Sequence, residues 1–382
     1  MEYALPYILL VLFYLLLSVI QLGLNLDIYS RKLLNYIGII VYFLFFGFRG
    51  FIGWDWHNYY PFFMNLQAGI VSEFEPGFVL YSQTIKSLFH TYQSYILINT
   101  LIDTILLHIF FKRYLKEKYY LLGLFIFIGF SGLVLQTDLI RNIKSLLLFM
   151  ISLKYIEERK IIPYLALCLL AISFHWSAII FIPLYFVLQQ EVPFKIFLAV
   201  IVIGNLLVLL NIHYIKPFVL FVSDLVGGTF QEKVTIYLSN KLYSKPYELS
   251  YGYFIRLFTS VLALFYYDKI INYSKASVIF LNTFFIWIIM YLFFSEIGIA
   301  ISRFSLFFSF SLSILIPTLL EIIIPLSTRI FLFLLYGILI VFRLYSSTNN
   351  IFYRYDNSLF EKIHPYEERM IIYEKYHKKL EQ

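Results

Sequence analysis

The sequence predicts an all-α, polytopic integral membrane protein, and three observations predict it. Of 382 residues, 61% are hydrophobic and only 14% charged, with a mean hydropathy of +0.79, where a soluble domain carries about 25% charged residues. Apolar runs of helix length follow one another from end to end, and a helical crossing of the hydrocarbon takes about 20 such residues. Aromatic residues reach 21%, with 42 Phe and 34 Tyr, which suits Tyr and Trp at the two headgroup levels.

Along the chain the spans fall at roughly 3–24, 34–50, 94–112, 119–136, 139–156, 161–188, 194–212, 253–271, 277–295, 300–324 and 329–346, about eleven in all. The first is too long for the apolar stretch of a signal peptide, with no basic residues ahead of it and no small-x-small site behind it, so it reads as a helix. The sixth carries His175 in its middle and Pro183 beyond, and reads as two short pieces broken around SFHWSA, which makes twelve. Arg31 and Lys32, KRYLKEK (112–118) and EERK (157–160) mark cytoplasmic loops. With the sixth span broken, the loop 49–92, the turn carrying Asp138 and Arg141, His175, the loop 213–251 and Arg303 share the opposite face. An unbroken sixth span moves Arg303 to the cytoplasmic side.

Two amphipathic pieces are expected at the interface. One is EPGFVLYSQTIKSL (75–88), with Pro76 as a first-turn proline behind Glu73 and Glu75. The other is TFQEKVTIYLSNKLY (229–243), with Phe230, Val234, Tyr237, Leu238 and Leu242 at helical spacing. The chain thus divides into a transmembrane domain, 1–346, with outer loops at about 49–92 and 213–251, and a charged tail, 347–382.

Several function classes drop out. The net charge of +7 is scattered through short loops without interleaved binding aromatics, so no nucleic-acid partner is expected. Cys168 is the only cysteine, which excludes a disulfide framework. No phosphate loop and no metal-ligand spacing occurs, so neither metal nor cofactor is expected. Carboxylates inside spans are few, chiefly Asp103 and Glu321, which argues against a coupled pump.

What remains is a set of polar residues at helix ends: Arg49, Asp55, His57, Glu75, Asp138, Arg141, Lys144, His175, Arg256, Glu296 and Arg303. Arginine keeps its charge on burial and grips phosphate oxygens with two donors, so arginines beside a membrane cavity suggest an anionic ligand. Each residue also has a plain structural reading. Arginines at helix ends snorkel to headgroups, Arg49 and Asp55 can form an ion pair, a lone His175 among apolar neighbours can simply pack, and Trp54, Trp56 and Trp176 can be belt residues.

The ordered stretches GFRGFIGWDWHNYYPFF (47–63), FEPGFVLYSQTIK (74–86), DLIRNIK (138–144), SFHWSA (173–178) and ISRFSLFFSF (301–310) resemble the EpsG family of bacterial exopolysaccharide proteins, which is related to Wzy-type polysaccharide polymerases. Arg49, Gly53, Asp55 and Tyr59 match its first motif; Glu75, Pro76, Gly77 and Phe78 its second; Arg141 its third; His175, Ser177 and Ala178 its fourth; and Arg303 and Phe304 its fifth. Pro365 and Tyr366 resemble its C-terminal Pro-Tyr. Trp176 departs from the Pro or small residue the family often has there.

The resemblance implies a metal- and cofactor-independent glycosyltransferase in the bacterial cytoplasmic membrane. It would move a glycan from undecaprenyl pyrophosphate to a sugar hydroxyl of another lipid-linked repeat unit at the outer face. Its partners would be the undecaprenyl-pyrophosphate-linked oligosaccharide and membrane lipids, with a chain-length regulator and a flippase alongside. Arg49, Arg141 and Arg303, with Arg256 behind them, would bind pyrophosphate. His175 would be the base, with Asp55 or Glu75 next. Trp54, Trp56, Tyr59 and Trp176 would hold sugar. A lipid-oligosaccharide flippase, a membrane O-acyltransferase and a ligase are the rivals.

Overall fold

A computed structural model describes residues 2–66, 73–239, 251–296, 298, 303–323 and 325–381. Among them there are helices and no strand, only an isolated antiparallel bridge between Arg49 and Asn357. The protein is an all-α, multi-pass membrane protein. Among the described residues, six helices are long and apolar enough to cross a membrane: Leu5–Gly23, Ile28–Gly47, Tyr92–Tyr114, Glu117–Thr137, Lys275–Phe294 and Ser327–Thr348. Shorter apolar helices, Ile161–Phe174, Trp176–Val187, Phe194–Leu209, Gly252–Phe265 and Leu306–Ile322, stand where further spans were expected.

The chain forms two compact units, Met1–Tyr185 with Tyr336–Gln382, and Phe186–Leu335. In the first unit, α1 (Leu5–Gly23) buries Tyr7, Leu10, Val11, Tyr14, Leu17, Ser18 and Gln21 on one face. Its other face exposes Leu5, Leu9, Leu12 and Leu16. A helix apolar all round with one side unpacked is built for lipid rather than water. Asp27 caps α2 (Ile28–Gly47) by accepting from the Ser30 amide at 3.1 Å.

Two short helices follow on the loop that was expected to be extracellular, α3 (Trp56–Asn65) and α4 (Pro76–Leu88). Pro76 opens α4 as expected, because a first-turn residue has no intrahelical donor to lose. Next come α5 (Tyr92–Tyr114), α6 (Tyr120–Phe127), a π-helical turn (Ile128–Gly132) and α7 (Leu133–Thr137). Every residue of α6 and of the π turn is buried, so this apolar rod is the centre of the unit. The turn sits one helical turn before Thr137 and Asp138, where the chain breaks before entering α8 (Ile140–Glu157).

The expected break in the sixth span is present. Helix α9 (Ile161–Phe174) ends at His175, which is extended, and a 3₁₀ turn (Trp176–Phe181) follows, then α10 (Leu184–Val187). The Tyr164 hydroxyl donates to the Phe181 carbonyl at 2.5 Å, and Phe181 stacks on Phe149 at 4.0 Å. Ten residues of helix from Tyr164 to Phe174 rise about 15 Å, so that bond requires the chain to double back at His175.

The second unit contains α11 (Phe194–Leu209), α12 (Ile215–Val226), α13 (Gly228–Ser239), α14 (Tyr251–Phe265), α15 (Tyr267–Ile271), α16 (Lys275–Phe294), α17 (Leu306–Ser309) and α18 (Leu312–Ile322). The buried Asn282 amide on α16 donates to the Leu188 and Gln190 carbonyls at 3.0 and 2.6 Å. The expected helical run at 229–243 is α13 as far as Ser239, and its remainder lies outside the described residues; α12 before it exposes Phe218, Phe221, Leu225 and Val226. The last long helix, α19 (Leu326–Thr348), leads to a 3₁₀ turn (Ile351–Tyr353) and α20 (Tyr366–Glu381).

The charged tail, 347–382, belongs to the first unit. Gly50 and Gly53 donate to the Asp356 and Phe352 carbonyls at 2.9 Å, Ser358 donates to the Phe48 carbonyl at 2.8 Å, and Arg369 donates to the Phe51 carbonyl. The loop 48–55 and the C-terminal segment satisfy each other's backbone, as buried irregular chain must.

Candidate functional site

The site begins with two glycines. Gly53 has φ +85°, and a Cβ there would lie 1.8 Å from the Asp138 carboxylate. Only glycine allows that left-handed turn to close over a carboxylate. Asp138 accepts from the Trp54 amide through Oδ1, and from the Tyr353 hydroxyl at 2.8 Å and the Thr137 hydroxyl at 3.1 Å through Oδ2. Burial, with the like charge of Asp55 nearby, pushes its carboxyl up to about 6. Gly77 does the same for α4. A Cβ there would stand 2.2 Å from Ser173 Oγ and 2.8 Å from its carbonyl, so α4 can approach the end of α9 only with glycine in that place.

That close approach carries Glu75, 4% exposed, to the break at His175. Its Oε2 accepts from Arg141 Nη1 at 2.6 Å, and its Oε1 accepts from the Trp176 amide at 3.1 Å. His175 Nδ1 lies 3.4 Å from the same Oε1 and accepts from the Ser177 amide at 3.3 Å. One buried carboxylate therefore joins the start of α4, the first turn of α8 and the Trp176 amide at the break. Three of the predicted site residues meet here.

Above Arg141 a cavity of about 440 Å³ opens, lined by Asp55, Asn58, Tyr59, Glu73, Phe74 and Arg141. Asp55, Asn58 and Tyr59 share a face of α3 at i, i+3, i+4 spacing. The Arg141 guanidinium lies 4.4 Å from the Phe74 ring centre, and Phe74 stacks on Tyr59 at 5.9 Å and 29°. Burial raises the Tyr59 hydroxyl to about 12 despite Arg141, so it keeps its proton as a donor. Sequence reasoning missed Asn58, Glu73 and Phe74 as wall residues. The helical spacing from Asp55 was the signal for Asn58, and adjacency to Glu75 was the signal for Phe74.

Several expectations are corrected. Arg49 does not face the cavity. It is 3% exposed, with Nη1 donating to the Phe46 carbonyl at 2.5 Å and to Thr100 Oγ1 at 3.3 Å, and Nη2 donating to the Gln136 carbonyl at 2.6 Å. It closes the C-terminal ends of α2 and α7, whose carbonyls have no intrahelical donors, and it makes no ion pair with Asp55 among the described contacts. Trp56 is 4% exposed, packed on Phe51, Tyr366 and Tyr373, with its indole N–H on the Gly53 carbonyl at 3.0 Å; it is core, closed to sugar. Trp54 lies against Phe352 at 3.9 Å, and Trp176 is 64% exposed with only its amide on Glu75. His175 is not among the cavity's described lining residues; it lies on Glu75, which sits behind Arg141.

Arg256 and Arg303 belong to the second unit. The Arg256 guanidinium sits 4.4 and 4.1 Å from the ring centres of Trp287 and Tyr291, and Arg303 is exposed. In the same unit Glu296 accepts from the Tyr214, Ile215 and Lys216 amides at 2.6, 2.8 and 3.1 Å. Those three donors hold its carboxyl below the usual range although burial opposes them.

Beneath Arg49 runs a buried polar chain that spacing did not announce. Gln136 donates to Thr100 Oγ1 and to Asp103 at 3.2 and 3.1 Å, and Lys144 pairs with Asp103 at 2.5 Å and donates to the Asn99 carbonyl at 2.9 Å. His57 is held elsewhere, by the Trp54 carbonyl at 2.5 Å and by stacking on Tyr373 at 4.3 Å.

No curated protein and no solved structure matches this chain. A family model does, over residues 32–360, a stretch that holds Arg49, Gly53, Asp55, the Glu75–Arg141–His175 junction and Asn357 and stops short of α20. The chain belongs to the EpsG family.

Proposed function

We propose that the protein polymerises a bacterial exopolysaccharide, transferring a glycan from undecaprenyl pyrophosphate to a sugar hydroxyl of a second lipid-linked repeat unit at the outer face of the cytoplasmic membrane. Family membership supports a polymerase-like role in exopolysaccharide synthesis. The observation that carries the finer reading is a carboxylate and a guanidinium, Asp55 and Arg141, on one cavity wall, with the guanidinium fixed from behind by buried Glu75.

In this reaction the acceptor hydroxyl attacks the donor's anomeric carbon. The bond from that carbon to the pyrophosphate oxygen breaks, and undecaprenyl pyrophosphate leaves with the electron pair. Asp55 takes the hydroxyl proton, a base in contact with the cavity being preferred to His175 behind it. Arg141 meets the charge growing on the leaving group. Glu75 holds Arg141 in one orientation, and the Trp176 amide at the break fixes its other oxygen.

The test uses the purified full chain in nanodiscs with the lipid-linked repeat unit alone. A glycan ladder with release of undecaprenyl pyrophosphate supports a polymerase. Movement of the lipid-linked unit across a vesicle bilayer, without a ladder, contradicts it and favours a flippase.

A further inference from the structure

We infer that an anionic phospholipid docks between the basic ends of α2 and α5, its phosphodiester seated between Lys32 and Lys112 and its acyl chains on the apolar helix faces beside them. Lys32 stands in the second turn of α2 and Lys112 in the last turn of α5. Gly47, the end of α2 that leads to the candidate site, is about 22 Å of helix away. The two places do not overlap. Between the lysines is a cavity of about 60 Å³, walled also by Asn35, Tyr36, His108, Glu117 and Tyr120. One water-sized group takes about 10–15 Å³ of such space, so there is room for about four oxygens, the number a phosphate carries.

The wall charges favour a singly charged anion. Lys32 and Lys112 bring two positive charges and make no hydrogen bond or ion pair among the described residues, while Glu117 brings one negative charge. Glu117 is held to one side, its Oε2 accepting from the Asn35 amide at 2.6 Å, and Asn35 Oδ1 in turn accepts from Gln21 at 2.6 Å. The net single positive charge suits a phosphodiester. His108 Nδ1 and the Tyr120 hydroxyl are 2.7 Å apart. A neutral imidazole and a phenol carry one such hydrogen each and use one between them, so in either tautomer the pair keeps a donor for an anion.

Lysines at the ends of spans ordinarily reach for headgroups one by one. Here two of them border one recess, and the recess continues into apolar surface. Tyr36 and Ile40 follow Lys32 at i+4 and i+8, Ile109 and Ile105 precede Lys112 by three and seven residues, and all four are exposed. The Tyr36 and His108 ring centres are 5.7 Å apart, which sets the two stripes side by side. A basic pocket between spans is the usual seat of an anionic headgroup. The stripes select a lipid over free phosphate, which has nothing to lay on them.

Native mass spectrometry of the full chain, released from detergent micelles with dioleoyl phosphatidylglycerol or dioleoyl phosphatidylcholine, tests this. One phosphatidylglycerol per chain should be retained about tenfold more tightly than phosphatidylcholine. Lys32→Ala with Lys112→Ala should cut that preference to about threefold or less, and Lys160→Ala with Lys195→Ala, which removes the same charge elsewhere, should leave it. All four lysines are exposed, so both double variants should melt at the wild-type temperature. Equal retention of the two lipids, a preference that survives the first pair, or one that falls equally with the second pair overturns the site. Displacement of phosphatidylglycerol by an equal concentration of inorganic phosphate overturns the lipid as its occupant.

Discussion

Glu75 shows why single residues in this protein were only half legible. Its neighbours Pro76 and Gly77 announced a helix start, but nothing in the spacing said that a carboxylate at position 75 would meet Arg141 at 2.6 Å and His175 at 3.4 Å. The distance is set by the missing Cβ of Gly77. Gly77→Ala should cost about 1–3 kcal/mol through overpacking on Ser173, read as a lower melting temperature, with a fall in polymerisation beyond that loss because Glu75 is displaced. Arg49 was legible as important and misread as a ligand, since burial of its guanidinium against helix-end carbonyls leaves no mark in sequence. Asp138 carries a pH dependence of known sign. Its carboxyl, pushed up to about 6, holds its proton more tightly in the fold than in the unfolded chain, where the ordinary value is about 3.9. It therefore stabilises the fold fully below about pH 4 and loses that contribution, about 3 kcal/mol, as pH rises through 6. Melting of the detergent-solubilised protein should fall from pH 5 to 7, and Asp138→Asn should flatten that slope. An unchanged slope in the variant would refute the assignment.

Among elements, the break of the sixth span was readable because a histidine and a proline interrupt a run too long for one crossing, and the Tyr164–Phe181 bond gives it physical form. The π turn before Asp138 and the docking of the C-terminal segment were not readable, because both depend on long-range packing that local pattern does not encode. The element pair α5–α8 is tied by the buried Asp103–Lys144 contact, at 1% and 3% exposure. Lys144→Met alone should destabilise by about 3–5 kcal/mol by leaving Asp103 unpaired, and Asp103→Leu with Lys144→Met should recover most of it. Chemical denaturation of the two variants checks this, and equal losses would contradict it. Helix α20 lies beyond the family match yet supplies Arg369 to the Phe51 carbonyl and Tyr373 to His57, so Arg369→Ala should loosen the loop 48–55 and raise its proteolysis.

At the scale of the whole molecule, composition and run length were enough for an all-α membrane protein, because a lipid-facing surface such as the outer leucines of α1 must be written in the sequence. The grouping of residues 336–382 with the first unit could not be read, since it joins segments about 300 positions apart. The proposed outer face makes a direct topological prediction. Glu73→Cys and Leu359→Cys, both exposed, should react with an impermeant thiol reagent added to whole cells, and Lys160→Cys should not; buried Cys168 gives little background. The most direct measurement is the initial rate of ladder formation by Asp55→Asn and Arg141→Lys variants that melt at the wild-type temperature. If the cavity is the site of glycosyl transfer, Asp55→Asn loses about 10²–10⁴ in rate and Arg141→Lys, which keeps charge without the fork, loses about tenfold or more. Wild-type rates from both folded variants would place the chemistry elsewhere.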